Sequence, residues 1–287
     1  MGYDFGKIWV VGAKGRIGTM IRDALDMREV ELFETDREEL DITDENEVKL
    51  FGSRNRPNTI INCAGLTDAG LCEKNVEEAY RVNALGARNL SAIARKIDAR
   101  IIQLSTDDIF FSETEQAFHE FDTPNPVTVY GKSKLAGENF VKELAPKHLI
   151  IRSSWVYGKS GNNFVNTVME KLKKGETFQA AEDEYACPTS AREVSNVLLE
   201  LVRQEQEGIY HAVCTGRCVS RYELAVKIAG LLGVSDKGII PVKRETLRVG
   251  GKGPGYTVLD NLMLRMCRMK VPADWESALK EYIEDNR

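Results

Sequence analysis

Histidine and cysteine are scarce in this chain, and those present are scattered. The 287 residues include 3 His and 6 Cys. No CxxC occurs, and although Cys214 and Cys218 are separated by three residues, no second ligand pair lies near them. His119, His148 and His211 are far apart, and there is no HExxH. With neither pattern present, no metal site is expected. The cysteines read as reduced, mostly structural thiols of a cytoplasmic protein. No apolar run approaches the roughly eighteen residues that cross a bilayer, so no membrane partner is expected. The first seven residues lead straight towards a strand without a signal-peptide pattern, which also points to the cytoplasm. Positive charge is not in excess: the formal net charge is −5, which gives no support for nucleic-acid binding as the main role. Internal repeats and low-complexity segments are absent as well.

What remains is an ordinary globular composition, 43% hydrophobic and 29% charged, long enough for one large or two modest domains. Apolar runs read as strands at residues 7–11, 30–35, 59–63, 100–104, 148–152 and 208–213. Between the first five lie helical patterns: Ile17, Ile21, Ala24 and Leu25; a long helix through Glu77, Ala79, Val82, Leu85, Leu90 and Ile93; and a run to Leu144. Strands alternating with helices predict an α/β fold, a doubly wound parallel sheet. Asn83 inside the long helix is expected to be buried and hydrogen-bonded. Beyond Gly158 the alternation loosens. Helices are read from Asn162, over 194–202, 222–232 and 275–283, with a strand-like piece at 177–181 and a loop around Cys187-Pro-Thr189. The glycine-rich segment 249–256 reads as a mobile loop.

Gly12-Ala-Lys-Gly15-Arg-Ile-Gly18 stands between the first strand and the first helix. Glycines in that context let backbone approach a pyrophosphate, and a helix N-terminus attracts its charge. Asp36 closes the second strand eighteen residues beyond Gly18, near the spacing of about twenty expected for an acid on the adenosine ribose. The 2′-hydroxyl of NAD would suit Asp36 and a 2′-phosphate would suit Arg37, so NAD(H) and NADP(H) both stand. Thr43 or Asp44 is read as the next N-cap. Ala64-Gly65 and Ser105-Thr106 follow the third and fourth strands, at the carboxyl edge where open parallel sheets bind ligands.

Tyr130-Gly-Lys-Ser-Lys134 carries the expected chemistry. Tyr130 and Lys134 are four residues apart and share a helix face, whereas Lys132 points elsewhere. A phenol titrates near 10, and an ammonium beside it is expected to lower that value and make a proton carrier. An isolated Tyr-Lys pair would more often be plain surface; its neighbours in the chain give this one weight.

Together these motifs resemble the extended short-chain dehydrogenase/reductases, and within them the dTDP-4-dehydrorhamnose reductase family. The likeness spans nearly the whole chain. It rests on the glycine motif, Leu40-Asp-Ile-Thr-Asp44, Asn62-Cys-Ala-Gly65, Val82-Asn83, Leu104-Ser-Thr-Asp107, Val129-Tyr-Gly-Lys-Ser-Lys-Leu-Ala-Gly-Glu138, Ile151-Arg-Ser-Ser-Trp-Val-Tyr-Gly158, Asn163-Phe164, Pro188-Thr189 and Gly208-Ile-Tyr-His211. The resemblance implies a Rossmann NAD(P)-binding domain over residues 1–155. A smaller C-terminal α/β substrate domain would cover 156–287, with some segments returning to the first. It implies an NAD(P)H-dependent reductase of a 4-keto nucleotide sugar. Thr106, Tyr130 and Lys134 would be catalytic: Tyr130 as proton donor, Lys134 on the nicotinamide ribose and lowering the phenol's pKa, Thr106 on the substrate oxygen or the tyrosine. Gly15, Arg16 and Ile17 would lie at the pyrophosphate, with Gly12 and Gly18 also binding the cofactor, Asp36 at the adenosine ribose, and Asp41 and Ile42 near the adenine. Ala64, Gly65 and Leu104 would line the cofactor cleft. Thr106, Asp107 and Trp155 would face the sugar. A homodimer is compatible with the resemblance, and His211 would be structural.

Departures from the family pattern fall on the substrate side. Gly70 stands where a YTxVDxxE-like run has its aspartate. Asp108 replaces the aromatic of STDYVFDG. DQxGxPT becomes Asp183-Glu-Tyr-Ala-Cys-Pro-Thr189. The arginine of RPxxSxL is matched only by the stretch beginning at Lys252. A lysine meets phosphate as a point charge without arginine's two-pronged contact. Two further readings stand beside the reductase. One is a dehydratase or epimerase that keeps its nicotinamide bound, motivated by Asp108. The other is a non-catalytic NAD(P)-binding regulatory subunit.

Overall fold

The computed structural model describes residues 5–25, 30–112, 114–247 and 253–286. The chain begins β1 (Gly6–Val11), α1 (Arg16–Ala24), β2 (Val30–Thr35), α2 (Glu45–Asn55), β3 (Thr59–Asn62), α3 (Ala69–Lys74) and α4 (Val76–Tyr80). It continues α5 (Gly86–Ile97), β4 (Arg100–Thr106), α6 (Val129–Leu144), β5 (His148–Ser153), β6 (Val156–Tyr157), α7 (Phe164–Lys173) and β7 (Phe178–Ala181). Then come β8 (Tyr185–Ala186), β9 (Thr189–Ser190), α8 (Ala191–Arg203), β10 (Gly208–His211), β11 (Val219–Ser220) and α9 (Arg221–Leu232). The last are β12 (Ile239–Val242), α10 (Arg244–Leu247), α11 (Leu262–Met266) and α12 (Trp275–Asp285).

Six parallel strands form the central sheet in the order β10-β5-β4-β3-β1-β2. The expected doubly wound α/β fold is therefore present. From β1 the chain goes one way to β2 and the other way to β3, so the switch point lies between β1 and β3. At such a point the carboxyl ends of the strands leave a crevice. Alternation along β1 explains the two-sided packing. Ile8 and Val10 face a layer with Ile21 of α1 and Val194, Leu198 and Leu201 of α8. Trp9 and Val11 face Leu90, Ile93 and Ala94 of α5 and Val141 of α6. A separate apolar cluster joins α7, α9 and α12 around Val168, Ile228 and Leu279.

Several elements differ from expectation. The long helix through residues 77–93 is interrupted by a π-helical turn, Arg81–Leu85, between α4 and α5. Asn83 sits in that wider turn, buried as expected. Its side-chain oxygen accepts the Leu66 N–H at 2.8 Å, and its amide donates to the Leu66 carbonyl at 3.0 Å and to Ser133 Oγ at 2.9 Å. Such single-turn widenings are where helices trade ladder bonds for tertiary ones. Asp44, not Thr43, caps α2, accepting from Asn46 and Glu47 N–H. Helix α8 starts at Ala191, three residues before the apolar pattern does, because Ser190 caps it. Residues 249–252 of the glycine-rich segment, Lys252 included, lie outside the described residues. Among the described residues no helix is long and apolar enough to cross a membrane, and no cluster of His, Cys, Asp and Glu could hold a metal.

Candidate active site

The ends of β1, β3, β4 and β5 open into one cleft of about 920 Å³. Its walls include Gly15, Arg16 and Ile17 after β1, Ala64 and Gly65 after β3, Leu104, Thr106, Asp107 and Asp108 at the end of β4, and Tyr130 and Lys134 of α6. The lining also includes Trp155, Phe164, Glu184 and Arg221. Residues spread over two hundred positions thus share one space, because parallel strands deliver all their following loops to the same edge.

Tyr130 is the second residue of α6. Thr128 caps the helix through a 2.9 Å bond from Gly131 N–H, and the Glu73 carboxylate accepts the Val129 N–H at 2.8 Å. A Cβ at Gly131 would lie 2.0 Å from the Asp108 carbonyl oxygen. Only glycine lets the helix start press so closely against the end of β4, and that contact brings the Tyr130 hydroxyl near enough to Thr106 for the threonine to act on its titration. Thr106 Oγ1 donates to Asp107 Oδ1 at 3.1 Å and accepts the Asp108 N–H at 3.2 Å. A hydroxyl has one proton and two lone pairs.

Lys134 lies one turn on and is buried, with Nζ donating to the Leu104 carbonyl at 2.7 Å. Burial pushes its pKa down to about 8, against the opposing charge of Glu138. Tyr130 corrects one expectation. Burial moves the phenol above its ordinary value; the Thr106 hydrogen bond opposes this, while the Asp108 and Asp107 carboxylates add to it and Arg16 opposes it. Desolvation of the phenolate outweighs any attraction from the ammonium, so in the chain by itself the pair does not lower the phenol's pKa.

Asp107 lines the cleft, but its carboxylate is taken up by hydroxyls. Oδ2 accepts from Ser154 at 2.8 Å and from Thr257 at 2.6 Å, in addition to Thr106 on Oδ1. It ties the ends of β4 and β5 to a residue 150 positions away. Burial raises its pKa, with the three hydroxyls opposing. The Arg16 guanidinium reaches across the cleft and donates to the Asn162 carbonyl; burial lowers its pKa.

The remaining predicted residues are placed as follows. Gly12 has φ +75°, and a Cβ there would meet the Ala64 nitrogen at 2.7 Å; Gly18 is buried against Gly12 and Ala13. Both permit close backbone packing beneath the cleft. Asp36, Asp41 and Ile42 are not among its lining residues. Asp36 accepts the backbone N–H groups of Lys14 at 2.9 Å and Arg37 at 3.0 Å, and Asp41 accepts that of Thr43 at 2.9 Å. Ile42 is buried, against Gly86. Arg221, Glu184, Asn83 and Ser133 belong to the site or its support, yet no spacing announced the first two. A composition reading of the loosely patterned second half has no periodic signal to follow there.

The family described as "RmlD substrate binding domain" matches residues 6–287. A dTDP-4-keto-6-deoxy-D-glucose reductase of Streptomyces niveus is 32% identical over 275 residues, covering 95% of each chain. The crystal structure of a dTDP-4-dehydrorhamnose reductase from Clostridium acetobutylicum superimposes with a TM-score of 0.92 at 39% identity, covering 97% of this chain and 98% of that one. The dTDP-4-dehydrorhamnose reductase of Bacillus anthracis, solved in complex with NADP, gives 0.93 at 32% identity, covering 98% and 99%. The fold, the cleft and these likenesses converge: the chain belongs to the RmlD substrate-binding-domain family, whose relatives include dTDP-4-dehydrorhamnose reductases.

Proposed function

We propose that this chain reduces the keto group of a 4-keto nucleotide sugar with NAD(P)H. The observation that carries this reading is the meeting of Thr106, Tyr130 and Lys134 in the cleft at the switch point of the sheet. The residues present suit the cofactor. The first turn of α1 holds no carboxylate that would repel a pyrophosphate, and Gly12 and Gly15 keep the backbone open there. Gly15, Arg16 and Ile17 would hold the pyrophosphate, Ala64, Gly65 and Leu104 the middle of the cofactor, and Lys134 the nicotinamide ribose. Asp36 would take the adenosine ribose, and Asp41 and Ile42 the adenine side. When bound, the cofactor supplies the hydride that reaches the carbonyl carbon.

Tyr130 supplies the proton to the carbonyl oxygen. Its raised pKa keeps the phenol protonated at neutral pH, as a donor requires. The phenolate left behind is stabilised by the Lys134 ammonium. Thr106 and Trp155 orient the sugar, and Asp107 fixes Thr106. The segment 156–287 mainly receives the substrate, while β10 and α8 return to the sheet. The relatives' names favour a dTDP-linked sugar. Oxidation of NADH or NADPH with dTDP-4-dehydrorhamnose, followed at 340 nm, tests the reading. Tyr130→Phe should lose about 10²–10⁴-fold in rate, the usual contribution of a positioned acid. Unchanged turnover in that variant would remove Tyr130 from the mechanism.

Asp108 supports a second reading. It follows Thr106 and its charge acts on Tyr130, where a second acid/base group of a dehydratase or epimerase would stand. NAD that copurifies, with turnover needing no added cofactor, would favour that reading over the reductase.

A further inference from the structure

In the same cleft, the Arg221 guanidinium lies over the Trp155 ring, 3.5 Å from its centroid, and 4.9 Å from that of Phe164. Both rings line the cleft. Trp155 has φ +42°, a left-handed backbone that a bulky residue adopts only where its surroundings hold it. Arg221 is the first residue of α9, whose start is fixed by a reciprocal capping pair. Ser220 Oγ accepts the Glu223 N–H at 3.1 Å, and the Glu223 carboxylate accepts the Ser220 N–H at 2.8 Å. The arginine backbone is pinned as well, donating to the Glu184 carbonyl at 3.2 Å. Stacking occupies the face of a guanidinium, whereas its N–H donors lie in the plane, the geometry that meets phosphate oxygens in pairs. Its Nε approaches Glu184 Oε1 at 3.4 Å, longer than the 2.7–2.9 Å of a strong charge-assisted bond.

The cleft is also electrically polar. Asp68, Glu73, Asp107, Asp108 and Glu184 line it together with Arg16, Lys134 and Arg221, and the Arg221 charge acts on Asp107. Resting on the reductase reading above, we infer that Arg221, stacked on Trp155 and Phe164, receives the diphosphate of a nucleoside-diphosphate sugar and so points its sugar at Tyr130. This cation precedes in sequence the stretch beginning at Lys252, where the arginine of the family pattern is lacking. It offers a different source for the two-pronged phosphate contact.

The test is equilibrium binding, which needs no turnover. With NADPH present, titration calorimetry compares dTDP with thymidine, UDP with uridine and GDP with guanosine, and uses the pair whose diphosphate binds most tightly. Wild-type protein should prefer the diphosphate to its nucleoside. In Arg221→Met that preference should fall about tenfold or more, the loss expected for a charge-assisted hydrogen bond, with nucleoside and NADPH affinities unchanged. Arg221→Lys should recover part of it, and Glu184→Gln should increase it. An unchanged preference in Arg221→Met overturns the inference, as does wild-type protein that binds no diphosphate better than its nucleoside. A reductase active on a 4-keto sugar whose Arg221→Met variant keeps its diphosphate preference would refute this role alone. Loss of NADPH-dependent reduction in wild-type protein would refute the underlying reading.

Discussion

Thr106 Oγ1 donates to Asp107 Oδ1 at 3.1 Å, beside the Tyr130 phenol on whose titration it acts. Around that bond two titrations decide when the site works. Tyr130 is held above its ordinary pKa and stays protonated across the neutral range. Lys134 is pushed down to about 8, so it is an ammonium at pH 7 and increasingly a neutral amine above pH 8. In the proposed reaction, a neutral amine would no longer stabilise the phenolate left as the proton leaves. The value of kcat/KM for NAD(P)H, which reports groups of the free enzyme, should therefore fall as pH rises through about 8. A profile flat to pH 10 would separate Lys134 from catalysis. The four-residue spacing of Tyr130 and Lys134 was legible, because helix geometry is local. The direction of the Tyr130 shift was not: desolvation depends on what packs over the ring, and the neighbouring carboxylates come from another strand.

At the level of elements, the glycine turn and the Tyr130 helix followed from local rules, and so did the six strands that form the central sheet. The π turn at Arg81–Leu85 did not, because Asn83 trades helix bonds for partners at Leu66 and Ser133. Gly131 shows how one element sets the site. On propensity alone, Gly131→Ala gains about 1 kcal/mol in a helix. Here the added Cβ would lie 2.0 Å from a backbone oxygen, where nothing flexible can yield. Overpacking of this kind costs about 1–3 kcal/mol or more, so the variant should be net less stable and less active. A melting temperature at or above the wild-type value, with full turnover, would contradict this close approach.

For the molecule as a whole, helix α6 is bound to β5 by one buried ion pair. Glu138 accepts from Arg152 Nε at 3.0 Å and Nη2 at 2.8 Å, with side-chain exposures of 0% and 2%. Glu138→Ala leaves a guanidinium buried without its counter-charge, which costs about 3–5 kcal/mol. Denaturant unfolding should show that loss, whereas a change within about 0.5 kcal/mol would mean that water or another acceptor takes over. The amino-acid sequence by itself determined the elements of the sheet, the glycine turn beneath the cofactor cleft and the pairing of Tyr130 with Lys134, since each follows from spacing along a few turns of chain. Only the tertiary structure decided that Asp107 gathers hydroxyls from Thr106, Ser154 and Thr257, and that Arg221 lies across Trp155. These contacts join residues far apart in sequence, and their geometry comes from how the layers pack, which no local period records.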